Sequence, residues 1–286
     1  MTAWTERRLK GHFAVELTGQ KLTPDQPQSF RDAVYEAVTR EGVVVVRDQD
    51  LSDDELEGFA ASIGMVMSYP GLGAHVPNVV PLGNIGPDGK LLPEDGDFMR
   101  ASVANMLWHI DSTYTKPRST VSMLLGKIVP PAGGETEYCD LRHAWDRLSP
   151  QEQAHLKDMT ASHSIIHSRT LTGYEDWAEG VRERLPSIDR PLVRDHEETG
   201  RTALLIASHI EKLTGLTKEE TVALVADLTA RAATPDNVYA HAWRPGDLLL
   251  WDNRCVMHRA TEFEMRKYPR DVRSTRLVDI AELEVA

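Results

Sequence analysis

Apolar and polar positions along the chain switch between two periods. Residues 27–40 (QPQSFRDAVYEAVT) set Phe30, Val34, Ala37 and Val38 at helical spacing, and the β-branched run from 43 to 48 has the length of a buried strand. A second helix is predicted from Ser52, which can cap, with Glu55 three residues on to complete a capping box and Gly64 to end it. Residues 74–100 are rich in Pro, Gly and Asp and predict short strands and an exposed loop, the kind of segment that borders binding sites. Strand character follows at 105–115, 119–129 and 135–139, then helices at 141–148, 151–158 and 217–233, with strands at 202–207, 238–242 and 247–252. The order is strand-rich, helix-rich, strand-rich, with no repeat, linker or low-complexity tract, which predicts one domain over residues 1–286.

Charge narrows the function classes. With 32 Lys+Arg against 44 Asp+Glu the net charge is −12, which argues against nucleic acid or an anionic membrane as a partner. No apolar run approaches the roughly 18 residues of a membrane span, and the first residues lack the apolar stretch of a secretory signal, so a cytoplasmic protein is expected. Cys139 and Cys255 suit a reducing compartment, where both are expected to be buried thiols.

Chemistry is suggested first by His109-Ile110-Asp111. Alternate residues of a strand share a face and can offer an imidazole and a carboxylate to one ion. About one such pair is expected by chance in a chain with 11 His, so the motif needs a partner. His258, in the run from Asp247 to His258, would be the third ligand. Two imidazoles and a carboxylate leave positions open and suit the Fe(II) of non-haem oxygenases, whereas zinc usually prefers four-coordinate closure. Arg270 adds a planar cation suited to a carboxylate. Rival histidine pairs are His163 with His167, spaced as on a helix face but in a strand- or loop-like context, and His196-x-Glu198 and His209-x-Glu211, which lack a third ligand.

The segments Asn105-Met106-Leu107-Trp108-His109-Ile110-Asp111-Ser112-Thr113-Tyr114, Gly133-Gly134-Glu135-Thr136, Trp251-Asp252-Asn253-Arg254, His258-Arg259-Ala260 and finally Arg270 resemble, in order and spacing, the TauD/TfdA family of Fe(II)/2-oxoglutarate dioxygenases. The likeness covers roughly residues 12–280 and is greatest to the aryloxyalkanoate (phenoxy-herbicide) dioxygenases. The resemblance implies a mainly β fold with flanking helices, its core a double-stranded β-helix or jelly-roll. It implies Fe(II) on His109, Asp111 and His258, with 2-oxoglutarate and O₂ as co-substrates. The far carboxylate of 2-oxoglutarate would be held by Thr136 and Arg270. The spacing from His258 to Arg270 is one residue longer than usual for the family, so Arg273 is held in reserve. By position Asn105, Ser112 and His75 fall near the substrate pocket, and Arg276 or Arg273 is expected to hold a substrate anion. The implied reaction is hydroxylation of a small anionic substrate, with an aryloxyalkanoate cleaved to a phenol plus glyoxylate or pyruvate. The alternatives are an alkylsulfonate, a sulfate ester or an amino-acid derivative as substrate, desaturation or isonitrile formation as outcome, or a non-catalytic jelly-roll binding protein. A homo-oligomer is expected.

Overall fold

A computed structural model describes residues 4–68, 77–93, 96–175 and 177–283. Its largest sheet runs in the order β1 (Thr5–Arg8), β2 (Val15–Thr18), β3 (Val43–Val46), β13 (Leu248–Asp252), β5 (Ser119–Ile128), β15 (Asp271–Val278) and β4 (Val80–Gly83). All pairs are antiparallel except β2 with β3. That pair is parallel because helix α1 (Gln28–Glu41) carries the chain back between them. A smaller sheet is formed by β12 (Val238–His241), β6 (Thr136–Asp140) and β14 (Val256–Ala260). The middle of the chain adds β11 (Ile210–Leu213), β7 (Thr160–His163) and β8 (Ile188–Pro191) as a third sheet, and a hairpin of β9 (Val193–His196) with β10 (Arg201–Leu204). The chain is therefore a mixed α/β structure with several sheets.

Period-two alternation decides what each face of the large sheet touches. Val44, Val46, Leu248 and Leu250 pack with Phe30, Val34 and Val38 of α1 and with Leu56 and Phe59 of helix α2 (Asp53–Ile63). Val43, Val45, Leu249 and Trp251 point the other way and pack with Tyr138, Cys139, Val256 and Met257 of the small sheet. Because both faces are covered, β3 and the first four residues of β13 read as unbroken apolar runs. The capping box of α2 forms as expected: Ser52 Oγ accepts from the Glu55 N–H at 3.2 Å, and the Ser52 N–H donates to Glu55 Oε2 at 2.7 Å. Gly64 ends that helix, its N–H on the Ala60 carbonyl.

Two expectations are corrected. Residues 105–115 are not a strand: a 3₁₀ turn, Val103–Met106, is followed by a single antiparallel bridge between His109 and His258. Ser112, at φ +57°, then turns the chain away. The middle third is not simply helical but holds five strands of four residues each, too short for period-two patterning to stand out. No helix among the described residues is long and apolar enough to cross a membrane.

Candidate active site

The backbone bridge is what brings the first three candidates together. The His109 N–H donates to the His258 carbonyl at 2.9 Å and the His258 N–H to the His109 carbonyl at 2.8 Å, seating the non-strand segment beside β14. Ligand atoms of His109, Asp111 and His258 then lie within 4.8 Å of one another. Each imidazole turns Nε2 to the carboxylate, at 4.0 Å for His109 and 3.9 Å for His258, too long for a hydrogen bond and spacious enough for a shared ion. Nδ1 of His109 lies 2.8 Å from the Leu107 carbonyl, which fixes the tautomer and leaves the Nε2 lone pair directed at the site. Burial, then the neighbouring His109, push the pKa of His258 down to about 3, and burial likewise lowers that of His109. Both rings are neutral at pH 7, as metal ligands must be. Burial alone would raise the Asp111 pKa, but the Arg276 guanidinium, with the Ser122 hydrogen bond, outweighs it and holds the carboxyl well below the usual range. This donor set fits a transition-metal ion.

The Trp-Asp-Asn-Arg segment supplies the scaffold behind the triad. Trp251 Nε1 donates to Asn253 Oδ1 at 3.0 Å, Asn253 Nδ2 donates to Ser122 Oγ at 2.8 Å and to Ser119 Oγ at 2.9 Å, and Ser122 Oγ donates to Asp111 Oδ2 at 2.7 Å. From β15, Arg276 donates to both Asp111 oxygens, at 3.1 and 3.3 Å. A separate buried clamp holds the β13–β14 turn. Asp252 accepts from Arg254 Nε at 2.9 Å and Nη2 at 2.7 Å and contacts His196 Nε2 at 3.0 Å, while Arg254 reaches Glu198. His196, Asp252 and Cys255 form a second cluster with metal-ligand residue types, but Arg254 already compensates its carboxylate. Burial pushes the Cys255 thiol up, so it stays protonated.

The triad opens into a cavity of about 290 Å³. Arg270 lines it. Its Nε is buried without a hydrogen-bond partner, and burial lowers the guanidinium pKa to about 10. Backbone anchors position this residue: the Arg270 N–H donates to Asn84 Oδ1 at 2.7 Å, and Asn84 Nδ2 donates to the Met265 and Tyr268 carbonyls at 2.8 and 3.0 Å. Gly83 permits the close approach, since a Cβ there would sit 1.9 Å from the Arg270 carbonyl oxygen. Gly133, at φ +74°, allows the equivalent approach to the Glu262 carbonyl, where a Cβ would stand at 2.6 Å. Thr136 also lines the cavity, its Oγ1 accepting from Trp243 Nε1 at 3.1 Å.

Of the residues expected at the site, His109, Asp111, His258, Thr136, Arg270, Asn105 and Arg276 line this cavity. Ser112 does not. It is buried beside it, with Oγ 3.8 Å from Met67 Sδ. Arg273 points to the opposite face of β15, where it pairs with Asp271 at 2.9 Å and Asp53 at 3.5 Å. Period two puts Val272, Ser274 and Arg276 on the cavity side and excludes Arg273. His75 lies outside the described residues. Tyr114, Arg169 and His209 line the cavity without having been singled out as site residues. Both Arg169 and His209 come from the middle of the chain; no motif marks Arg169, and His209 stood out only as the rival pair His209-x-Glu211. His163 and His167 share no helix, since His163 ends β7 and His167 lies in the helix Ile165–Thr170.

The chain belongs to the taurine catabolism dioxygenase TauD, TfdA family, whose model matches residues 5–276, and it is an enzyme of that α-ketoglutarate-dependent dioxygenase class. Among its relatives is the α-ketoglutarate-dependent 2,4-dichlorophenoxyacetate dioxygenase of Cupriavidus pinatubonensis, 36% identical over 244 residues, 83% of this chain and 85% of the relative. The (S)-phenoxypropionate/α-ketoglutarate-dioxygenase of Delftia acidovorans is 31% identical over 279 residues, 94% of this chain and 93% of the relative. The crystal structure of AAD-2 in complex with Mn(II) and N-oxalylglycine superposes with a TM-score of 0.89 at 30% identity, over 97% of each chain.

Proposed function

We propose that this enzyme binds Fe(II) through His109, Asp111 and His258 within a double-stranded β-helix core and hydroxylates an aryloxyalkanoate beside its ether oxygen. The observation that carries the reading is one cavity holding two neutral imidazoles, an ionised carboxylate and a guanidinium, that of Arg270, whose Nε has no partner. When bound, iron, 2-oxoglutarate and O₂ would together supply the oxidant for the C–H bond beside the ether oxygen, with 2-oxoglutarate leaving as succinate and CO₂.

The chain's own residues bind, orient and exclude water. Arg270 supplies a planar fork for the far carboxylate of 2-oxoglutarate. Thr136 Oγ1 already accepts a hydrogen bond from the Trp243 indole N–H, so its own O–H remains to donate to that carboxylate. Arg276 and Ser122 hold Asp111 from two sides and fix the plane it presents. Met99, Met106, Phe263 and Met265 offer thioether and aromatic surface to an aryl ring and keep bulk water from the reacting carbon. One oxygen atom of O₂ enters the C–H bond and the other enters succinate. The hydroxylated ether is a hemiacetal or hemiketal, which collapses to a phenol with glyoxylate from an oxyacetate or pyruvate from an oxypropionate.

The test is anaerobic reconstitution with Fe(II) and 2-oxoglutarate, read as a visible charge-transfer band, followed by O₂ and phenoxyacetate. Succinate and phenol should form in equal amounts, and His258→Ala should abolish both band and turnover. No band in the wild type overturns the metal and co-substrate assignment. A band with succinate released only by sulfonates or sulfate esters overturns the aryloxyalkanoate choice alone.

A further inference from the structure

We propose that Arg169 anchors the carboxylate of the primary substrate. This rests on the reading that the cavity takes an organic anion beside 2-oxoglutarate. Among the described residues lining the cavity there are three guanidiniums, Arg169, Arg270 and Arg276, against one carboxylate, Asp111. Arg276 is already matched, two of its N–H groups reaching the two oxygens of Asp111 in a fork. Arg270 is the guanidinium assigned to 2-oxoglutarate. That leaves Arg169 with no carboxylate within ion-pair distance among the described residues, its one polar side-chain contact being Nη2 to Asn105 Oδ1 at 3.5 Å.

A neutral amide at that distance cannot offset a partly buried cation, and burial pulls the Arg169 pKa below its ordinary value. The position therefore favours an incoming anion over an empty cavity. A carboxylate suits it better than a single-point acceptor, because the guanidinium presents parallel N–H donors. Asn105 adds an amide N–H₂ that can turn to the same group, and Met106, next along the chain, belongs to the apolar lining available to an aryl ring. The short helix Ile165–Thr170 that carries Arg169 starts from a capped Ser164, whose Oγ accepts from the His167 N–H at 3.1 Å. The guanidinium thus comes from a helix in the middle of the chain, apart from the segments that carry the triad and Arg270.

The experiment uses enzyme loaded with Mn(II) and N-oxalylglycine, an inert pair that permits equilibrium titration of phenoxyacetate, its neutral analogue 2-phenoxyethanol, and hexyl sulfate. Arg169→Gln should weaken whichever anion the wild type binds by about 10- to 100-fold, the range of a charge-assisted hydrogen bond. It should leave N-oxalylglycine and 2-phenoxyethanol within about twofold. Arg169→Lys keeps the charge without the fork and should lose several-fold on phenoxyacetate, and it carries the test if the glutamine variant does not fold. Arg270→Gln should show the reverse pattern, losing N-oxalylglycine. The proposal is overturned if Arg169→Gln leaves anion binding unchanged, or if it weakens N-oxalylglycine as much as the substrate anion. If hexyl sulfate binds through Arg169 and phenoxyacetate does not bind, Arg169 is an anion anchor but its assignment to a carboxylate is overturned together with the aryloxyalkanoate reading. If the wild type binds neither anion, both fall.

Discussion

Replacing Ser122 by Ala removes one oxygen atom from beneath Asp111. Ser122 lies in β5 and is fully buried, its hydroxyl donating to Asp111 Oδ2 at 2.7 Å while accepting from Asn253 Nδ2 at 2.8 Å. A hydrogen bond to a charged group contributes about 1.5–3 kcal/mol net, and an orphaned buried N–H costs about 1 kcal/mol more. The space vacated by one oxygen is too small for water to enter and restore either bond. The metal-free protein should therefore lose about 2.5–4 kcal/mol, a large part of a typical total of about 5–15 kcal/mol. Asp111 keeps Arg276 on both oxygens and stays ionised, so the damage at the site is to its orientation. Loss of such an outer partner typically weakens metal binding by about 10- to 100-fold. Urea unfolding of the metal-free protein and Mn(II) titration measure the two effects separately. Ser119→Ala is the control. That hydroxyl also accepts from Asn253, at 2.9 Å, but makes no bond to Asp111, so it should cost about 1 kcal/mol and leave Mn(II) affinity unchanged. A loss below about 0.5 kcal/mol in Ser122→Ala, with Mn(II) affinity within twofold of wild type, would refute the network as the support of the triad.

Three further outcomes follow from buried groups. Asp252→Asn leaves Arg254 and His196 without their buried carboxylate and should cost about 3–5 kcal/mol in urea unfolding, and less than about 1 kcal/mol would contradict the clamp. His163 has both ring nitrogens buried without partners, and burial lowers its pKa to about 3. A histidine whose native pKa falls below its unfolded value of about 6.5 costs stability as pH drops from there toward the native value, because the unfolded chain binds the proton more readily. His163→Leu should therefore gain about 2 kcal/mol on the wild type between pH 7 and pH 5, and parallel pH profiles would count against it. Cys139 and Cys255 are buried with thiol pKa values pushed up by burial, so a thiol reagent should modify neither in the native protein and both in denaturant. Rapid native labelling of either would contradict that burial.

How much of the site could be read in advance depended on how local each residue's determinants are. The convergence of His109, Asp111 and His258 was legible because their residue types and spacing match a single donor set, although the strand expected to present the first two is in fact a 3₁₀ turn and one bridge. The helices at 28–41 and 53–63 were legible because their apolar spacing and caps are properties of a short window. The arginines near the C-terminus were not separable by composition or spacing. Arg273 and Arg276 differ by an odd number of positions, and only the seating of β15 between β5 and β4 shows which parity faces the cavity. Nor could charge pairing be seen, since Arg276 meets Asp111 across 165 residues of chain.

By itself, then, the sequence determined the elements whose patterns are short-range, the two histidines and the aspartate that converge, and the family to which their order and spacing belong. The tertiary structure alone decided that Arg276 orients Asp111, that Arg273 turns away, and that Arg169 and His209 enter the cavity from the middle of the chain. The reason is physical: a side chain's identity is local, but its partners and the face it shows are set by contacts between segments far apart along the chain, which no local periodicity records.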